Sequence, residues 1–447
     1  MKIGLWFHIL IARLLICFQL IDVCCCYVSI LPLKGQVGDC SCNIDTVDYY
    51  NNAKIHPRLS SLLNKDYFRF FRVNLKRPCP FWQDDSKCSL EDCSVKPCDE
   101  KNVPPGLKPN RINKYSEEAQ KKDSCEEVNE LGHLNTTISE ESFEGFERWR
   151  LHDAQDNFCE LDDEKSASLE YVDLLLNPER YTGYKGAPAH RIWNSIYQEN
   201  CFQPQTELGS YIDSQSVREL CLEKRAFYRA ISGLHTSINI HLSASFLFPA
   251  KDHFSKGKWG PNKQEFLKRF SPESTQGEGP QWLKNLYFVY LLELRAIAKA
   301  APYLENEAYY TGNEEDDCEV RKAVKDILQV VNSFPDHFNE SSMFVGNKRE
   351  AKKLKNEFKL HFRNISRIMD CVGCDKCKVW GKLQVQGLGT AFKILFSGNQ
   401  KSDIFSLPLM RKDKFQLQRT EIVSLLNGFG RLSNSIRSLE VFRNMMK

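Results

Sequence analysis

Seven cysteines in two distant clusters carry the chemistry this chain could do: Cys79, Cys88, Cys93 and Cys98 in one, Cys371, Cys374 and Cys377 in the other. Thiols so spaced either hold a metal or pass electron pairs between disulfides, by attack of a thiolate on a disulfide sulfur. In Asp370-Cys371-Val-Gly-Cys374-Asp-Lys-Cys377-Lys-Val-Trp380-Gly381 the cysteines recur every third residue, and a helical segment would place them near one face. A ferredoxin-type iron–sulfur motif wants a fourth cysteine three residues on and then proline, where Trp380 and Gly381 begin instead. Zinc wants a second ligand pair at short range, yet the nearest histidine, His361, lies ten residues upstream of Cys371. A thioredoxin-like site would follow a buried strand, and none is expected here. No metal is therefore expected. Cys374 and Cys377 read as a redox dithiol, its thiolate favoured by Lys376 and Lys378, with a structural disulfide as the alternative.

The first cluster has a different character. Residues 79–140 are rich in Pro, Lys, Asp and Glu without a sustained apolar period, which predicts a flexible loop. Cys88 and Cys93 enclose four residues, and Cys98 and Cys125 offer each an alternative partner. Competing partners make a switch, because exchange depends on access and leaving-group pKa; two ordinary staples are the other reading. A dithiol that delivers electrons to oxygen needs a sink such as flavin. Trp193 could stack on its rings, Arg180 and Arg269 could bind pyrophosphate, and His235 could hydrogen-bond it, although a lone Trp is more often core and a lone Arg solvated. No GxGxxG fingerprint points to a Rossmann-type site.

These residues need elements to hold them. With 447 residues and 42% hydrophobic content the chain can build a large core, so its 18 cysteines exceed structural need. Helical patterning is expected around Ile192 to Tyr197 and over Leu220 to Leu242, Leu283 to Leu304, Val320 to Val331, Lys348 to Phe362 and Glu421 to Met446, with one aromatic strand between Asp66 and Leu75. The fold class is thus mainly α, one helical domain over residues 24–447. Lys2 followed by the apolar run from Ile3 to Leu20 predicts a secretory leader at residues 1–23, with a membrane anchor as the alternative. Sequons at Asn135, Asn339 and Asn364 agree with passage through an oxidising compartment. No second spanning segment is expected, and the C terminus carries no luminal retrieval signal, so retention would need a partner. A net charge of +3 from 61 basic and 58 acidic residues predicts no nucleic-acid partner.

The motifs together resemble a known family. Pro78-Cys79-Pro-Phe-Trp82, Cys88-x4-Cys93-x4-Cys98, the run from Tyr171 through Arg180 and Thr182 to Gly186, Ser232-Gly-Leu-His235, and Arg363 through Cys371, Cys374 and Cys377 look like the endoplasmic reticulum oxidoreductins, flavin-dependent thiol oxidases of the secretory pathway. The likeness runs from about residue 40 to the C terminus. It implies FAD held in a helical core, contacted by Arg180, Thr182, Trp193, Ser232, His235 and Arg269. Cys88/Cys93 would be the shuttle disulfide, reduced by protein disulfide isomerase, and would reduce Cys374/Cys377 beside the flavin. Oxygen would be the final acceptor and hydrogen peroxide the product. It further implies an inhibited pairing of Cys88 with Cys125 and Cys93 with Cys98, and structural bridges Cys79–Cys371 and Cys201–Cys221. An N-terminal knot would join Cys24 and Cys26 to Cys40 and Cys42. The implied location is the endoplasmic reticulum lumen, with peripheral association at the luminal membrane face. One departure is that Gln281-Trp282 stand where the family usually has a second arginine. A luminal disulfide-rich scaffold, or an isomerase without oxidase activity, is the alternative function.

Overall fold

The computed structural model describes residues 31, 33–82, 88, 93–108, 157–159, 169–179, 184, 186–202, 214–249, 257–396 and 417–447. The leader, Cys24, Cys26, Cys125, Asn135, Arg180 and Thr182 lie outside the described residues. The architecture is mainly helical, as expected. Helix α1 (Ile44–Tyr49) runs through a π-helical turn into α2 (His56–Leu63). The segment read as a strand splits: Asp66–Arg69 forms one helical turn, α3, and only Phe70–Val73 is extended as β1. Strand β2 (Glu170–Asp173) pairs antiparallel with it, Phe70 opposite Asp173 and Val73 opposite Glu170.

Next come α4 (Ala187–Asn194), α5 (Ser214–Arg218) and α6 (Leu222–Ala244), then a small hairpin of β3 (Phe246–Phe248) and β4 (Lys258–Gly260), and α7 (Lys263–Phe270). Helix α8 (Gly279–Glu305) follows, with Pro280 in its first turn, where a missing N–H costs nothing. From Leu286 to Leu294 every side chain of α8 is buried, which marks it as the central helix. It packs against α6, α9 (Glu314–Asn332), α11 (Asp375–Phe396) and α12 (Arg419–Met446). Helix α10 (Lys348–Ile368) is amphipathic instead, burying Phe358, Phe362 and Ile365 at helical spacing.

Two devices hold α11 against α12 and so fix the cysteines at its start. A Cβ on Gly387 would come 2.5 Å from the Ser424 carbonyl oxygen, so only glycine permits this approach. One turn and a half further on, buried Lys393 Nζ lies 2.7 Å from Glu421 Oε1. Glu421 also closes a capping box, its Oε2 accepting from the Gln418 N–H at 2.8 Å. Among the described residues no helix is long and apolar enough to cross a membrane.

Candidate active site

The two distant cysteine clusters meet. Bridges join Cys79 to Cys371, Cys88 to Cys93 and Cys374 to Cys377. The Cys93 carbonyl oxygen lies 4.0 Å from Cys374 Sγ, and the Cys88 N–H donates to the Gly373 carbonyl at 3.3 Å. The backbone of the outer pair is thus laid against the inner pair.

The local chain explains the fit. The sequence suggested a helix through all three cysteines of the second cluster. The structure ends α10 at Ile368, passes through a 3₁₀ turn (Met369–Cys371), and restarts as α11 at Asp375. The Gly373 break turns the chain, so Cys374 stands just before the new helix and Cys377 in its first turn. There the Cys377 N–H donates to Cys374 Sγ at 3.2 Å. A free amide at a helix start stabilises a thiolate. Of the two flanking lysines, Lys378 Nζ is committed to the Leu75 carbonyl at 3.2 Å, and Lys376 is buried.

Asp370, wholly buried, anchors this turn. Its carboxylate meets Arg77 Nε at 2.7 Å, Arg367 Nε at 3.0 Å and Lys382 Nζ at 2.6 Å, so one group joins the base of the loop, the end of α10 and the body of α11. On the other side, Asn177 clamps the loop. Its Oδ1 accepts from the Lys96 N–H at 2.7 Å, its Nδ2 donates to the Lys96 carbonyl at 3.0 Å, and its own carbonyl accepts from Trp380 Nε1 at 2.8 Å. The sequence pattern singled out neither Asp370 nor Asn177. Arginines and a lysine spread over three segments were the only hint for the first, and Asn177 lay unremarked within the run from Tyr171 to Gly186.

Beside Cys377 opens a cavity of about 190 Å³, walled by Ile192, Trp193, Ile231, Leu234, Ile238 and Leu242 on one side, and by Lys376, Cys377, Gly381, Gln384 and Val385 of α11 on the other. Trp193 stacks on His235, ring centroids 3.6 Å apart, and His235 Nδ1 lies 3.0 Å from the Tyr197 hydroxyl. Burial, and next the Arg269 charge, push His235 down to about 3, so its imidazole is neutral. Arg269 bonds Asn239 Oδ1 at 2.8 Å and reaches Glu265 at 3.4 Å, while its buried Nε has no partner. Trp193, His235 and Arg269 are therefore one cluster. The Ser232 hydroxyl accepts from Asn285 Nδ2 at 3.0 Å in the α6–α8 interface, which leaves its own O–H to donate. That contact is possible because Gly233 has no Cβ, which would lie 2.4 Å from the Asn285 carbonyl oxygen. Glu179, one residue before Arg180, lines the cavity and is ion-paired with Arg431.

The expected Cys201–Cys221 bridge is absent. Cys201 is a buried free thiol and Cys221, at the start of α6, an exposed one, so no bond links them. Cys40 and Cys42 are free thiols turned toward nearby backbone, Cys40 Sγ 3.5 Å from the Gly38 carbonyl and Cys42 Sγ 3.5 Å from that of Asn43. Burial pushes Cys42 up to about 12. Cys98 is free as well, its pKa raised by burial and by Asp173. Cys159, buried against Gly389, is pushed up to about 12 by burial and is inert. Cys318 is disulfide-bonded. Of the sequons, Asn339 is exposed, and Asn364 is half-buried within α10. Among the described residues no cluster could hold a metal ion.

Two neighbouring disulfides, the inner one at the wall of a cavity within a helical core, define a thiol–disulfide oxidoreductase. Residues 54–439 match the family described as Endoplasmic Reticulum Oxidoreductin 1 (ERO1). The Ero1-like protein of Drosophila melanogaster is 52% identical over 438 residues, spanning 93% of this chain and 90% of its own length. The human ERO1-like protein alpha is 52% identical over 442 residues, 95% and 92% of the two chains. Among solved structures, a cysteine-to-alanine double mutant of Saccharomyces cerevisiae Ero1p superposes with a TM-score of 0.58 at 29% identity, covering 90% of this chain and 97% of that one. Another structure of Ero1p gives a TM-score of 0.57 at 28% identity over 90% and 98%. The chain belongs to the ERO1 family.

Proposed function

We propose that this protein oxidises the dithiol of protein disulfide isomerase in the lumen of the endoplasmic reticulum, with FAD as cofactor and oxygen as acceptor, and so drives disulfide formation in folding proteins. The observation that carries the reading is the 4.0 Å approach of the Cys93 carbonyl oxygen to Cys374 Sγ, which sets the two bridged pairs side by side. The likeness to Ero1p, described as a source of disulfide bonds for oxidative protein folding in the cell, supports the same reading.

The residues supply a balanced sequence of exchanges. A thiolate of the reduced isomerase attacks the Cys88–Cys93 bond; the isomerase leaves oxidised, and Cys88 and Cys93 hold the two electrons and the protons. Cys93 thiolate then attacks Cys374 Sγ, and Cys377 departs as a thiolate at the cavity wall. Cys88 resolves the mixed disulfide by attacking Cys93 Sγ, which restores the shuttle bond and releases Cys374. The Cys377 N–H, aimed at Cys374 Sγ, stabilises that leaving thiolate.

The cavity suits a flavin: its walls are mostly apolar with a few polar groups, Trp193 lines it, and the unpartnered Arg269 Nε lies in the neighbouring cluster. Trp193, His235 and Arg269 would hold the group, joined by Arg180 and Thr182 on the strength of the family resemblance. When bound, FAD supplies a two-electron acceptor that oxygen reoxidises to give hydrogen peroxide. Cys98 and Cys125 remain the candidates for a regulatory pairing that withdraws Cys88 and Cys93, and peripheral binding at the luminal membrane face belongs to the same proposal. Oxygen uptake by the purified chain with reduced isomerase tests it. An isomerase acting alone would reshuffle bonds without consuming oxygen, and a scaffold would do neither.

A further inference from the structure

Gln384 stands apart among the buried polar side chains. It is 2% exposed, and neither its Nε2 nor its Oε1 has a hydrogen-bond partner. Turning the amide over rescues nothing, because both ends are unmet, and a buried unmet amide carries a full desolvation penalty. Its position explains the vacancy of its bonds. Lys376, Cys377, Gly381, Gln384 and Val385 form the α11 wall of the cavity beside the inner disulfide. Their spacing puts them on one helical face, with Gln384 about 10 Å beyond Cys377 along the axis. The other polar groups on the cavity wall are engaged: Glu179 is ion-paired with Arg431, and the Tyr184 hydroxyl accepts from the Gly373 N–H at 3.3 Å.

We infer that Gln384 reads the polar edge of the ring system seated in this cavity, its Nε2–H donating to a ring carbonyl and its Oε1 accepting from the adjacent ring N–H. That alternation of carbonyl and N–H is the dione edge of a flavin, so the inference rests on the flavin reading above and adds the residue that recognises the ring. A primary amide presents one donor and one acceptor side by side and matches such an edge in both positions. With Glu179 and Tyr184 engaged elsewhere, Gln384 is the point where orientation is set, which fixes which part of the ring faces Cys377.

Two shape-preserving substitutions test it, each in the full-length purified protein. Gln384→Met removes both polar ends, and Gln384→Glu replaces the donor with a second acceptor. The readouts are the FAD dissociation constant by fluorescence, the position of the visible flavin bands, and thermal stability without added FAD. The Met variant is expected to bind FAD about 10- to 100-fold more weakly, with shifted bands, while its stability without FAD is unchanged or higher. The Glu variant should lose affinity further as pH rises. Affinity within about twofold of wild type and unshifted bands in the Met variant would overturn the assignment. So would a loss of folding or of FAD-free stability in both variants, since the amide would then serve packing. A wild-type protein that binds no FAD would overturn the flavin reading itself, whereas a flavin-loaded wild type with indifferent variants overturns only the role of Gln384.

Discussion

Glu293 of α8 lies in the centre of the molecule, 0% exposed, and neither carboxylate oxygen has a hydrogen-bond partner. Its oxygens face the spot where a Cβ on Gly428 would stand, 3.7 and 3.8 Å away. Burial alone raises its pKa well above the ordinary 4.5, since no cation or donor favours the charged form. The folded protein must therefore keep a proton that the unfolded chain gives up. The sign follows: a raised folded pKa leaves stability intact below about pH 4.5 and erodes it as pH climbs, at about 1.4 kcal/mol per pH unit. Glu293→Gln keeps the shape and removes the titration. Wild type and variant should match within about 1 kcal/mol at pH 4.5, and above that the variant should gain on wild type by about 1.4 kcal/mol per pH unit until the folded carboxyl itself ionises. Denaturant unfolding at several pH values measures the gap. A difference that stays flat between pH 5 and pH 8 would refute the reasoning, because it would mean that Glu293 is charged or solvated in the folded state.

Replacing Cys374 or Cys377 with Ala should leave a folded, flavin-binding protein that no longer takes up oxygen with a thiol substrate, and retained turnover would contradict the inner-pair role. Asp370→Asn removes one charge from beneath three cations, and is expected to cost about 3–5 kcal/mol in denaturant unfolding; a loss below about 1 kcal/mol would show that those cations find water or other partners. Asn177→Ala should lower turnover with isomerase while leaving FAD content unchanged, because it frees the loop at Lys96 without touching the cavity, and an unchanged rate would remove the clamp from the relay.

The sequence made the cysteines legible because a disulfide pair is written in spacing, and the long helices because their apolar period survives over many turns. Helix ends were less so. Leu283 to Leu304 is really Gly279–Glu305, since Pro280 belongs to the first turn, and Val320 to Val331 begins earlier, at Glu314, where the Asn313 side chain accepts from the Asp316 N–H. The aromatic run at Tyr67 alternated like a strand, yet its first half is helical, because Asp66 and Arg69 suit a turn and the Tyr67 and Phe68 rings both pack on Tyr309. Trp193, His235 and Arg269 stand far apart in sequence; that the first two stack and the third lies near enough to act on His235 depends on α4, α6 and α7 converging, which no local pattern encodes. Gln384 escaped notice for the opposite reason. Its neighbours made its helix face look like core, and a single amide in such a face signals nothing until its empty surroundings are seen.

The Cys79–Cys371 bridge joins points 292 residues apart, nine residues before Cys88 and three before Cys374. It works as a leash. Nine residues at full stretch reach about 30 Å, so Cys88 stays within about that distance of the bridge, three residues from Cys374, however the loop swings to meet a client. The second exchange is then a search inside a small fixed volume, its pace set by tether length and indifferent to how dilute the protein is. Only the encounter with the client depends on concentration.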